Sequence, residues 1–79
     1  MKTQSMQMNK GLVAILIRKI YEESLPIEIT IGKTVCVDQS IAGFDNKQYI
    51  QDVILNYKEE NEKVYRDALN DSIVQFSKS

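Results

Sequence analysis

From Asp45 onward the chain contains neither glycine nor proline, so that stretch lacks the two residues that most often interrupt a helix. Within it Ile50, Ile54, Tyr57, Asn61, Val64 and Ala68 advance in steps of four and three, a spacing that lines six side chains along one side of an α-helix. Asp45 and Gln48 have the spacing of a capping box at its start. A helix over 46–76 would be ~46 Å long, whereas a compact domain of this size is only about 30 Å across. It must therefore break, with Lys58–Lys63 as the natural place, or project toward another molecule. The stripe keeps its phase through Asn61, which favours an unbroken, projecting helix.

The projecting helix needs a cover, and chain length explains why. Seventy-nine residues bury only roughly 60–65% of their unfolded surface, and small cores are usually supplemented by disulfides, metals or association. Cys36 is the sole cysteine and there is no histidine, so an internal disulfide is impossible and the ordinary zinc and haem ligand sets are missing. Association remains, and a homodimer is the expectation. Asn61 takes an a position when Ile54 and Ala68 are also a, where a lone asparagine sets register and strand number. That seam predicts a higher melting temperature for Asn61→Leu. Tyr57 and Tyr65, two turns apart near the stripe, suit the edge of such an interface.

The rest of the chain reads as α+β: a helix, a β-hairpin and the long C-terminal helix. Residues 1–8 are polar with scattered methionines and are expected to form a frayed arm, leaving 9–79 as one small domain. Asn9 is placed to cap a first helix that runs to about Glu23 and stops near Pro26. Leu12, Val13, Leu16, Ile17 and Ile20 form its apolar face, widened by Ala14, Ile15 and Tyr21. Ile27, Ile29 and Ile31 alternate with polar residues, as do Val35 and Val37. A loop over Gly32–Thr34 would set Ile31 opposite Val35 and Ile29 opposite Val37, with all five on one face and Cys36 on the other. In the connector, Ile41 and Phe44 are expected to tuck under the hairpin.

No catalytic constellation emerges. Gly32-Lys33-Thr34 matches the end of a phosphate-binding loop, but Ile27 stands where the first glycine is needed and the segment joins two strands. The carboxylates from Asp52 to Asp71 are interleaved with lysine and arginine, as on a solvated helix face. Cys36 has no histidine to activate it. No cofactor or metal is expected, and no enzyme activity.

Net charge is −1, unevenly distributed. Lys2, Lys10, Arg18 and Lys19 make the first nineteen residues purely basic, while all eleven acids lie beyond them. A dimeric nucleic-acid binder using those four cations is the alternative to a protein-binding module. The apolar run Leu12–Ile17 is too short to span a bilayer, which takes ~20 residues. Arg18 and Lys19 replace a signal-peptide cleavage site. The unpaired cysteine suits a cytoplasmic setting. A preference for lysine over arginine, with abundant isoleucine and asparagine, points to an AT-rich bacterial or phage genome. The expectation is thus a small cytoplasmic regulator or inhibitor. It binds itself and another protein through Ile50, Ile54, Tyr57, Asn61, Val64, Tyr65 and Ala68 of its C-terminal helix.

Overall fold

A computed structural model describes residues 1–38, 43 and 47–78. Strand β1 (Lys2–Asn9) leads directly into helix α1 (Lys10–Glu22), followed by strands β2 (Ile27–Asp38) and β3 (Lys47–Tyr57). A 3-10 turn (Glu59–Asn61) then opens helix α2 (Glu62–Lys78). The sheet has the order β1-β3-β2, and both outer strands run antiparallel to β3. β1 and β2 are therefore parallel, joined across β3 by α1. Both helices lie on one face of the sheet. The fold is α+β, with a helix, a β-hairpin and a long C-terminal helix as expected, plus an N-terminal strand.

Local chemistry explains α1. Asn9 caps it, its side-chain oxygen accepting from the Gly11 amide at 2.8 Å. At the other end Ser24 adopts a left-handed conformation (φ 49°). The Leu25 amide donates to the Ile20 carbonyl and the Ser24 amide to that of Tyr21, the pattern of a Schellman stop, and Pro26 follows. Val13 and Leu16 are buried, with Leu12, Ile17 and Ile20 packed against the same core. Ala14 and Tyr21 are exposed, so the helix is covered on one side and not nearly all round.

The largest departure from expectation is β3. Residues 47–57 form the central strand, not the first half of a long helix. A central strand with apolar residues on both faces carries Ile50 and Ile54 on one side and Val53, Leu55 and Tyr57 on the other. That combination reproduces the i, i+4, i+7 spacing of a helix. The contrary signal was the alternation Val53–Leu55–Tyr57 together with β-branched and aromatic content. Asp45 lies outside the described residues, and Gln48 belongs to β3 rather than to a helix cap. The helix that does form has 17 residues and starts after the 3-10 turn. Asn61 sits in that turn, its amide donating to the Lys58 carbonyl, so there is no helical seam at Asn61 and no reason for Asn61→Leu to stabilise one.

The hairpin also differs. β2 does not fold back at Gly32–Thr34 but continues to Asp38 and pairs with β3. The register jumps between Ile31/Val53 and Thr34/Gln51, so that Gly32 and Lys33 both stand against Asp52 as a bulge. A Cβ on Gly32 would stand 3.2 Å from the Asp52 Cβ, which explains the glycine at this close approach. The extra residue reverses side-chain parity. Ile27, Ile29 and Ile31 face the helices, whereas Val35 and Val37 face away. Cys36 pairs with Tyr49 on the helix side, beyond the end of β1, and is exposed. Ile41 and Phe44 lie outside the described residues.

Residues 1–8 are expected as a frayed arm, yet Lys2–Asn9 pair with β3 without a register shift from Lys2/Tyr57 to Asn9/Ile50. Met6 and Met8 turn toward the core, and Met8 is buried. The core runs from Met8, Val13 and Leu16 through Val53, Leu55 and Tyr57 to Tyr65 and Ala68. Tyr57 and Tyr65 stack with ring centroids 4.4 Å apart and planes 12° from parallel. Removing the fully covered Leu55 side chain (Leu55→Ala) is expected to cost about 2–5 kcal/mol in urea denaturation. Ile54→Ala, one residue away on the other face, is expected to cost less than ~1 kcal/mol.

Candidate interaction surface

The helices leave the opposite face of the sheet uncovered. β1 contributes Thr3, Ser5 and Gln7 to it, β3 contributes Ile50, Asp52, Ile54 and Asn56, and β2 contributes Glu28, Thr30, Val35 and Val37. Ile54 lies in the middle of the sheet between Ser5 and Thr30, and Ile50 pairs with Val35. Ile54 is 39% exposed and Val35 41%. Polar pairs flank them. The Thr3 hydroxyl lies 2.6 Å from the Asn56 side-chain oxygen, and the Gln7 amide donates to Asp52 at 3.0 Å. The surface is therefore a mostly polar sheet face with branched aliphatic side chains along its central strand.

The expected interface residues are divided by this fold. Ile50 and Ile54 remain on the uncovered face. Tyr57, Tyr65 and Ala68 are buried in the chain's own core, Val64 packs against it, and Asn61 is half-buried in the 3-10 turn. They do not form one stripe. Thr3, Ser5 and Thr30 complete the surface, and the bulge adds Val35 to it, because a residue belongs to a sheet face only once its register is known.

The four cations are similarly dispersed. Lys2 forms an ion pair with Glu62 at 2.7 Å, tying the start of β1 to the start of α2. Lys19 lies 2.8 Å from Glu23 and 3.5 Å from Asp71, linking α1 to α2. Lys10 follows the far end of β1, roughly 25 Å from Lys2 along an eight-residue strand. Arg18 is exposed on α1. The uncovered face itself carries no arginine and no aromatic ring among the described residues, so a stacking platform for nucleic-acid bases is missing there.

The electrostatics follow from these pairs. The hydrogen bond and charge of Lys2 hold the Glu62 carboxyl below its ordinary range, with a smaller contribution from Arg66. The hydrogen bond it donates to Glu62 raises Lys2, as those to Glu23 and then Asp71 raise Lys19. Burial, then the neighbouring Tyr57, pushes the Tyr65 hydroxyl up. Among the described residues no three metal-binding side chains cluster, and no helix is long and apolar enough to cross a membrane. Comparison with models of known protein families, with curated proteins and with solved structures yields no match to this chain.

The ion pair between β1 and α2 sets a pH dependence. Folding lowers the Glu62 pKa, so the folded chain binds fewer protons there than the unfolded chain. The resulting stability is present above the ordinary Glu value of 4.5 and is lost as pH falls through the lowered value. Glu62→Gln is expected to melt below wild type near neutral pH, and the gap should close on acidification toward pH about 3. A gap unchanged over that range in thermal melts would mean the charge contributes nothing.

Proposed function

We propose that this chain is a small non-catalytic protein–protein interaction module, an accessory regulator or inhibitor that works as a homodimer and contacts its target through the helix-free face of its sheet. The observation that carries the reading is the exposure of Ile54 on the central strand, together with Val35 on β2. A sheet that needed only one buried face could carry threonine or lysine at those positions. Branched aliphatic residues there favour a second, external packing partner. The homodimer is supported by chain size, by the single cysteine, and by a three-stranded sheet whose edge strand β1 pairs with only one neighbour among the described residues.

In this reading α2 supports the surface instead of forming it. Its inward residues Tyr65, Ala68 and Ser72 are buried, and its exposed apolar side chains Ile73 and Val74 lie on the other side of the molecule. The nucleic-acid alternative has less support, since Lys2 and Lys19 are already partnered by carboxylates and Lys10 lies far from Lys2.

Affinity capture from the native host with quantitative mass spectrometry tests the assignment. Wild-type bait and Val74→Asp are expected to retain the same target, and Ile54→Asp to lose it while keeping the wild-type circular dichroism spectrum. Loss with Val74→Asp and retention with Ile54→Asp would transfer the contact to the helical side.

A further inference from the structure

The two edges of the sheet are treated differently by the sequence. β2 is preceded by Pro26, carries the exposed charges Glu28 and Lys33, and is distorted by the bulge at Gly32–Lys33. Proline, charge and bulges are the usual means of keeping an edge strand from pairing with another chain. β1 has none of them between Thr3 and Met8. Those residues include no charge, proline or glycine, and their register against β3 is unbroken. At eight residues, β1 also exceeds the common strand length of about 5–6. From Thr3 to Met8 it is a regular, uncharged edge.

We infer that two copies of this chain join edge to edge through β1, antiparallel about a twofold axis midway between their two Ser5 residues, to make one continuous sheet. The inference rests on the homodimer reading above and specifies its interface. Self-pairing of an antiparallel strand is isologous, as a twofold dimer requires, and directly opposed residues point to the same side of the sheet. Centring the pair on a residue, rather than between two, keeps the helices of both copies on one face and joins the two uncovered faces into one.

Charge selects the centre. Centred on Met6, the register brings Lys2 of each copy to the end of the other copy's β1, beside Lys10 at the start of α1, two close approaches of like charge. Centred on Gln4, it leaves Gln7 and Met8 beyond the paired segment. Centred on Ser5, it sets Thr3 against Gln7, Gln4 against Met6 and Lys2 against Met8, with no like charges opposed. Because Ser5 pairs with Ile54 within each copy, the two Ile54 side chains then fall on one line across the sheet. Three strand spacings separate them, about 14 Å. The dimer would thus present two copies of the proposed contact surface side by side.

Directly opposed antiparallel residues have Cα atoms about 4.5–5.5 Å apart, within disulfide range. In a Cys36→Ser background, which removes the other thiol, Ser5→Cys is expected to form a disulfide-linked dimer under mild oxidation. Thr3→Cys, opposed to Gln7, is expected to crosslink far more slowly. Ser5→Lys is expected to weaken the dimer about tenfold or more in sedimentation equilibrium, with the circular dichroism spectrum of the fold retained. A wild-type chain that stays monomeric at high micromolar concentration would overturn both the homodimer and this interface. A stable dimer that neither crosslinks through Ser5→Cys nor weakens with Ser5→Lys would overturn the β1 interface alone and leave the homodimer standing.

Discussion

The structure depends on the end of β3, where Tyr57 is held from every side. Its ring stacks on Tyr65 of α2 at 4.4 Å, and its hydroxyl accepts from the Gln4 side chain at 3.2 Å. Lys2 and Ile27 are its neighbours on the two flanking strands. All three strands and the second helix therefore meet at one buried aromatic residue. Lys2 and Glu62 close the same corner with an ion pair. An aromatic ring suits this role because it combines a large apolar area with one polar tip that needs a single partner.

From that corner the two helices run antiparallel back across the sheet, and their approach is close. Ala68 and Ser72, one turn apart on α2, are both buried, and the Ser72 hydroxyl donates to the Ala68 carbonyl within its own helix. Small residues with internally satisfied polar groups allow this contact without leaving an unpaired atom. At the far end a Cβ on Gly11 would stand 2.9 Å from the Phe76 ring, so glycine there admits the aromatic side chain against the first turn of α1. Both helices are thereby committed to one face of the sheet, and the other face is left to solvent or to a partner.

That asymmetry connects fold to proposed function. Among the described residues both helices pack on one side of the sheet, and no further element covers the other. Ile50, Ile54 and Val35 consequently stay at the surface, although the same residue types are buried elsewhere in the sheet. The edges carry a parallel asymmetry, with β2 guarded and β1 regular and uncharged from Thr3 to Met8. Association through β1 would enlarge the sheet without disturbing either the core or the uncovered face.

The local devices were legible in the amino-acid order because their physics is short-range. Asn9 as a cap, the stop at Ser24–Pro26 and the apolar face from Leu12 to Ile20 each depend on neighbours within a turn. The alternation Ile27–Ile29–Ile31 also identified a strand directly. What only the tertiary structure decided was pairing: that 47–57 is a central strand, that 2–9 extends the sheet, and that a bulge turns Val35 away from the helices. Apolar residues on both faces of β3 mimic a helical stripe, and β1 is too polar to declare itself without the ladder β3 provides. Side-chain spacing reports how many faces of an element are apolar, but which element forms is settled by partners distant in sequence, and so was the candidate surface.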